Sequence, residues 1–237
     1  MNKMIAGLFI TASMIASCTR GKHDNQLTDE EQKDGFVLLF DGSTLNGWHP
    51  YNKDTRKLTW SVQNGELVCG PDKRLEHIDL VTDKEYSNYD LRFDWKINKE
   101  GNSGVFIDVQ ERPDIPATYA SGPEYQLLEE THVDNSNPLK KTGCIFNLTR
   151  QLNPGRPTKA GEWNESEIVQ KDGHVRFYLN GVLTTDQDFK SQAWADSVAK
   201  THFATFPEFG KHVSGHIALQ DWFKAVAFKN MRIRELP

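Results

Sequence analysis

The sequence predicts an all-β domain, a sandwich or a barrel, over residues 35–237. Apolar and polar residues alternate along Asp90–Ile97, the period of two that places neighbouring side chains on opposite faces of a strand. The pairs Asp172-Gly173 and Asn180-Gly181 are typical of tight hairpin turns. Helical periodicity is weak except at Gln192–Ala199, where a short helix is expected. About a dozen short strands between such turns indicate one β-sandwich or barrel.

The N-terminus has the pattern of an export signal. Lys3 precedes the apolar run Met4–Ala16, which is too short to span a bilayer as a helix. Residues Ile15–Cys18 resemble the bacterial lipobox, in which the cysteine is lipidated after cleavage. The resemblance implies a signal peptide over 1–17 and an exported bacterial lipoprotein, held at the periplasmic face or the outer-membrane surface by lipid on Cys18. An ordinary signal peptide with an incidental cysteine is the alternative.

Residues 19–34 are polar and contain a single leucine. This composition predicts a flexible tether with one helical turn at Thr28–Glu31. From Gly35 onward short apolar runs are separated by Gly, Asn, Asp and Pro. The chain is therefore divided into a lipidated cysteine with its tether, 18–34, and one folded domain.

Further strands are predicted wherever a short apolar run is bounded by turn residues. Asn102 and Ser103 are expected in a turn before the first of them, and Asn135–Gly161, with three prolines, is expected to contain a long loop. The predicted strands are Gly104–Gln110, Pro123–Glu129, Gly143–Leu148, Glu167–Gln170, His174–Leu179, Val182–Thr185, Gly215–Leu219 and Ala225–Glu235.

Charge and cysteine content exclude some classes of function. The net charge is −5 and no Lys/Arg cluster stands out, so no nucleic-acid partner is expected. Cys69 and Cys144 each lie at the end of a predicted strand, which favours two free buried thiols; a disulfide is the alternative in an exported protein. No Cys/His spacing indicates zinc.

Six short blocks occur in order between residues 36 and 236. They are Leu39–Trp48, Trp60–Leu67, Asn102–Phe106, Gly122–Leu128, Gly161–Asn164 with Leu179–Gly181, and Gly215–Asp221 with Phe228–Ile233. Together they resemble the DUF1080 family, also named the 3-keto-disaccharide hydrolase domain. The resemblance implies a concanavalin-like jelly roll of two antiparallel sheets. It also implies an enzyme that cleaves glycosides whose sugar carries a ketone at C3.

Such chemistry has definite requirements. A ketone at C3 acidifies the hydrogen on C2, so a base can form an enolate and the C1 substituent then leaves. Addition of water makes the net result a hydrolysis. The reaction needs a base near C2 and a cation or hydrogen-bond donors at the enolate oxygen. A divalent metal would serve as that cation.

Alternation along the strands selects the candidate site residues. Glu124 and Gln126 share one strand face, as do Gln220 and Trp222, and Asp108 is expected on the polar face of its strand. If these faces line the concave sheet, the five side chains surround one groove suited to a sugar.

Each candidate has an expected role. Glu124 and Asp108 are the candidate catalytic residues and the tentative ligands of Ca²⁺, Mg²⁺ or Mn²⁺. Gln126 and Gln220 would form hydrogen bonds with sugar hydroxyl groups, and Trp222 would stack on the sugar ring. For Glu124 and Gln126 the alternative is a solvated sheet face without function.

Two further substrate-binding candidates have structural alternatives. Trp163 lies within a block of the family resemblance, and it could also pack the start of a strand. His132 lies just past the strand of Glu124, and a lone loop histidine is usually solvated.

The chain departs from the family at two places. Asp108 stands where many members carry Arg, and Trp222-Phe223 stands where they carry His-Gly. A lost histidine and an added tryptophan favour one alternative, a non-catalytic carbohydrate-binding lipoprotein. A structural sandwich without sugar affinity is the third hypothesis.

Overall fold

The computed structural model describes residues 23–55 and 57–237. Two antiparallel sheets pack face to face, which confirms the predicted jelly-roll sandwich. The expected signal peptide and Cys18 lie outside the described residues. Among the residues that are described, no helix has the length and apolar character needed to cross a membrane.

The strands are short and the helices few. In chain order the strands are β1 (Val37–Leu38), β2 (Trp48–Pro50), β3 (Trp60–Gln63), β4 (Glu66–Cys69), β5 (Leu80–Thr82), β6 (Tyr89–Ile97), β7 (Asn102–Val109), β8 (Glu124–Leu128), β9 (Asn164–Lys171), β10 (His174–Leu179), β11 (Val182–Asp188), β12 (His216–Leu219) and β13 (Val226–Glu235). Helix α1 spans Asp29–Lys33, α2 spans Gln192–Ala199, and 3₁₀ turns lie at Thr118–Ala120, Val133–Ser136 and His202–Thr205.

The strands form two sheets of unequal size. The larger has eight strands in the order β11-β10-β9-β6-β13-β4-β3, with β1 paired to β13. The smaller has five, in the order β2-β5-β12-β7-β8. The main core lies between the sheets, where Trp95, Phe93, Tyr125 and Phe228 are fully buried. The outer face of the five-stranded sheet carries a second apolar cluster.

Most predicted elements are present, but the expected turn at Asn102 and Ser103 is wrong because both residues belong to β7. The short helix is α2, and the two cysteines are free and buried, as expected. The predicted strand Gly143–Leu148 is wrong: the segment consists of turns, with Asn147 at a positive φ of 58°. It nevertheless runs beside β8, because Phe146 N donates to Glu124 O at 3.0 Å.

The polar segment before the domain is packed rather than free. Asn25 N donates to Asn230 Oδ1 at 2.6 Å, and Asn230 N donates back to Asn25 Oδ1 at 2.9 Å. The Arg232 guanidinium lies 2.6 Å from Glu31 Oε1 on α1. The expected tether therefore lies on the outer face of the eight-stranded sheet from residue 24 onward. Composition misses this docking because hydrogen bonds and ion pairs, not apolar burial, hold it.

A β-bulge interrupts β7. Phe106 pairs with Ala218 and Val109 pairs with His216, so two residues of β7 oppose one residue of β12. Asp108 lies at the bulge with a φ of 57°. The extra residue reverses the alternation: Val109 joins the outer cluster with Phe106, and the Asp108 side chain turns inward between the sheets. The expectation that Asp108 faces the groove is therefore wrong.

Candidate functional site

A cavity of about 350 Å³ opens on the outer face of the five-stranded sheet. Its floor follows from strand register. Gly104 lies opposite Gln126 and Phe106 opposite Glu124, while Gln220 N donates to Gly104 O at 2.9 Å. Strand β8 thus presents Glu124 and Gln126, and the residue after β12 presents Gln220, around a glycine of β7 that leaves room above the sheet. A cavity of this size lies within the usual range for small-molecule sites.

Four buried polar atoms of the floor lack hydrogen-bond partners among the described residues. Both amide atoms of Gln126, Asn102 Oδ1 and Gln220 Oε1 are buried and make no hydrogen bond within 23–55 and 57–237. A buried polar atom without a partner costs about 1–3 kcal/mol. All three side chains line the cavity. They are therefore available to the hydroxyl and carbonyl groups of a polar ligand.

The carboxyl group of Glu124 is buried and difficult to ionise. Burial raises its pKa well above the ordinary value of 4.5, and the nearby charge of Asp79 raises it further; a hydrogen bond from Gln220 opposes the shift. A higher pKa makes the carboxylate a stronger base when it is ionised. Proton transfer is the chemistry that this environment favours.

Asp79 is the acid that sequence reasoning missed. Its Oδ1 accepts from Asp221 N at 2.8 Å and its Oδ2 accepts from the Thr118 hydroxyl. Burial raises its pKa to about 6. Asp79 stands two positions before Val81, whose side chain faces the outer cluster. Alternation would have placed it on the site face, had the three-residue strand β5 been recognised.

A second polar network holds the turn that carries Trp222. Both carboxylate oxygens of Asp221 lie 2.9 Å from His77 Nδ1, and Phe223 N donates to Asp221 Oδ1 at 3.1 Å. The Phe223 ring lies 4.3 Å from that of His77. These contacts fix Trp222 at the cavity mouth with 49% of its surface exposed. An indole presented in this way can stack on a ring-shaped ligand.

An ion pair lies on the cavity wall beyond β8. Lys140 Nζ lies 2.9 Å from Asp134 Oδ1 and 5.4 Å from the centre of the Phe146 ring. Lys140 is the cation of the lining, and Asp134 is the acid that neutralises it. Because Asp134 is paired, Glu124 is the carboxyl of the lining best able to exchange a proton with a ligand.

The structure brings together four of the predicted site residues. Glu124, Gln126, Gln220 and Trp222 all line the one cavity. Asp108 does not: its Oδ1 accepts from Gln170 Nε2 of the opposite sheet at 2.7 Å. The bulge described above is the reason.

Two weaker candidates also lie elsewhere. Trp163 lies directly before β9 of the eight-stranded sheet, and the ammonium groups of Lys96 and Lys229 lie 4.6 and 4.4 Å from its ring centre. His132 begins a 3₁₀ turn, and its Nδ1 accepts from Asp134 N at 3.1 Å. Both side chains therefore have structural contacts that account for them.

The candidate metal ligands, Glu124 and Asp108, do not face a common point. Glu124 faces the cavity, whereas the Asp108 carboxyl lies on the other side of β7. In the part of the chain that is described, no three acidic, histidine or cysteine side chains are grouped to hold a metal ion. The donor groups of these residues therefore do not fit the expected metal site.

Gly104 is expected to be essential for the position of Glu124. A Cβ at residue 104 would lie 2.1 Å from Glu124 Oε1, so Gly104→Ala must displace the carboxyl group. For a reaction in which Glu124 acts as the base, we expect kcat to fall by about 10–100-fold, because an error of about 1 Å in position is costly in catalysis. The melting temperature should change little. Gly70→Ala is the matched control, since its Cβ would meet only Thr59 O at an ordinary 3.5 Å. Equal activity of both variants would contradict the prediction.

Comparisons with known proteins show the family of the chain. A family model described as a 3-keto-alpha-glucoside-1,2-lyase-like domain matches residues 35–234. A 3-keto-disaccharide hydrolase of Bacteroides thetaiotaomicron is 26% identical over 230 residues, which cover 86% of this chain and 79% of that protein.

Solved structures show the same fold. A candidate glycosyl hydrolase from Parabacteroides distasonis is 33% identical, with a TM-score of 0.83 over 91% of this chain and 100% of that one. A second candidate glycosyl hydrolase from the same species is 23% identical, with a TM-score of 0.64 over 85% of this chain and 99% of the other.

Proposed function

Because the chain belongs to the 3-keto-alpha-glucoside-1,2-lyase-like domain family, we propose that it cleaves the glycosidic bond of 3-keto-glycosides in the cavity on its five-stranded sheet. One observation carries the proposal. A buried glutamate with a raised pKa lies beside amide atoms that have no partner within the described residues, among them the donor Gln126 Nε2. A base and an unpaired donor are what the formation of an enolate requires.

The proposed reaction begins at C2 of the oxidised sugar. The ionised carboxylate of Glu124 removes the C2 proton, and the electron pair moves to the C3 oxygen as an enolate. Gln126 Nε2 and the Lys140 ammonium are the donors that can stabilise the charge on that oxygen. Preorganised donors at a developing oxyanion lower the barrier most in a site sheltered from water.

Expulsion of the C1 substituent completes the elimination. The enolate reforms the ketone, a double bond forms between C1 and C2, and the C1–O bond breaks. Glu124 returns its proton to the departing oxygen, so the carboxylate is regenerated. Addition of water at C1 then gives the free 3-keto sugar. The word lyase in the family description matches the elimination alone, and the word hydrolase in the relative's name matches the elimination followed by addition of water.

The remaining floor residues would bind the sugar. Asn102 Oδ1 and Gln220 Oε1 are acceptors suited to hydroxyl groups, and Trp222 offers a stacking surface at the mouth. No step is assigned to a metal ion, because the acids of the described residues do not form a ligand set for one.

The direct test is an assay with a 3-keto-glucoside. The purified protein is expected to release the alcohol of a 3-keto-glucoside and not that of the parent glucoside, whose C2 proton is not acidic. Release is expected to continue after treatment with a chelator, since the proposed steps use side chains alone. Both products are measured by chromatography. Failure to release alcohol from either anomer would contradict the proposal.

The exposed indole of Trp222 favours a second candidate function, binding of carbohydrate without cleavage. The same assay separates the two functions. Affinity for unoxidised glycans, together with no turnover of the ketone, would support binding alone. In either case we propose an exported protein that a lipid on Cys18 holds at a bacterial membrane.

A further inference from the structure

The cavity has two chemically different ends. Register places Phe106 opposite Glu124 at one end of the β7–β8 pair, and Gln126 and then Asn102 lie farther along the two strands. At the Phe106 end, Gly210 N donates to Ser121 O at 2.9 Å. This bond brings Phe209, the residue before Gly210, close to Gly122, the residue after Ser121. The amides thus occupy one end of the floor, and the other end is built by different parts of the chain.

Aromatic rings form this other end. Tyr119 comes from one 3₁₀ turn and His202 and Phe203 from another, and they line the cavity with Phe106 and Phe209. Phe203 and Phe209 stack at 4.1 Å with an angle of 10° between their planes, and His202 lies 4.1 Å from Phe203. We define these five residues as the aromatic end.

The aromatic end suits a planar apolar group better than a second sugar. Among its five side chains, only the Tyr119 hydroxyl and the His202 imidazole can form conventional hydrogen bonds. A sugar ring carries several hydroxyl groups, and those left without partners on binding would cost affinity. An aromatic ring has no such requirement and gains from contact with other rings.

The position relative to Glu124 identifies which part of the substrate lies there. On the proposed function, the keto sugar lies over the amides Asn102, Gln126 and Gln220, with its C2 hydrogen near Glu124. The C1 substituent must then extend past Glu124, and Phe106 lies directly opposite Glu124 in the β7–β8 pair. A cavity of about 350 Å³ has room for a sugar and one further ring.

We propose that the preferred substrates are 3-keto-glycosides with an aromatic leaving group, which the aromatic end binds. This inference rests on the proposed function and adds the class of aglycone. It predicts that kcat/KM is higher when the leaving alcohol carries an aromatic ring, independently of the acidity of that alcohol.

The test compares two substrates with the same anomeric linkage. One is benzyl 3-keto-glucoside and the other is a 3-keto-disaccharide of two glucose units. Both leaving groups are alkyl alcohols, and the sugar hydroxyl is the more acidic, so acidity alone would favour the disaccharide. We expect kcat/KM to be at least about tenfold higher for the benzyl compound. Tyr119→Ala should reduce this ratio about tenfold. Tyr119→Phe, which keeps the ring, should retain it. Tyr119 is 45% exposed, so its truncation should not unfold the protein.

The control is an aromatic residue on the opposite sheet. Trp163→Ala should leave the ratio of the two constants within about twofold of the parent value. Equal kcat/KM for both substrates, or a ratio that Tyr119→Ala does not change, would overturn the inference and leave the proposed function intact. If neither substrate is cleaved, the proposed function fails and the inference fails with it.

Discussion

Replacement of Glu124 by glutamine is expected to reduce kcat/KM for a 3-keto-glucoside by about 10²–10⁴-fold, the usual contribution of a general base. The amide has nearly the size of the carboxyl group and can keep a hydrogen bond with Gln220, but it cannot accept the C2 proton. Binding should persist, because Asn102, Gln126 and Gln220 are unchanged. Initial-rate assays measure the loss of turnover, and calorimetric titration measures whether binding persists.

The matched control for this variant is Glu167→Gln. Burial also raises the pKa of Glu167, but this residue lies in β9 on the other sheet. It should retain parental activity. Glu124→Gln should melt no lower than the parent, because it removes a buried carboxyl group that is costly to ionise. Full activity of Glu124→Gln would remove this residue from the mechanism.

Replacement of Asp108 by asparagine is expected to raise stability at alkaline pH. Burial raises the pKa of Asp108 from 3.8 to about 8. The folded state therefore holds this proton at a pH where the unfolded state has lost it. The contribution to stability is full below about pH 4 and is lost as the pH rises through about 8. Asparagine cannot ionise, so the variant does not lose this part of its stability as the pH rises.

The size of the effect makes it measurable. At about 1.4 kcal/mol per pKa unit the shift from 3.8 to about 8 sets an upper limit of about 6 kcal/mol. Because the surroundings of an ionised group relax and admit water, we expect a gain of about 2–4 kcal/mol near pH 9 and about none near pH 4. The melting temperature should rise by about 5–10 °C at the higher pH for a domain of this length. Asparagine Oδ1 can still accept from Gln170 Nε2. Asp186→Asn, on the exposed side of β11, is the control and should show no such gain. A lower melting temperature of Asp108→Asn at both pH values would contradict the prediction.

The sequence predicts the fold well because its signals are local. Alternation in β6, the Asp-Gly and Asn-Gly turns and the helix α2 each depend on neighbours in the chain. The same rule correctly pairs Glu124 with Gln126 on one strand face. It fails at Asp108, since one inserted residue reverses every side chain that follows it and no residue type marks the insertion.

The aromatic end could not be predicted in the same way. Phe106, Tyr119 and Phe203 stand far apart in sequence and meet only through loops that cross the sheet. Each would serve equally well in an apolar core. Asp79 was missed for a different reason, because a strand of three residues carries too short a pattern to show which side chains it exposes.

The docking of Asn25 and α1 on β13 also bears on how the protein would stand on a bilayer. Only residues 19–23 separate Cys18 from Asp24, a reach of about 20 Å at full extension. With the proposed acyl anchor, the chain would leave the lipid on the side of the large sheet. The mouth beside Trp222 would then point away from the headgroups, toward incoming solutes.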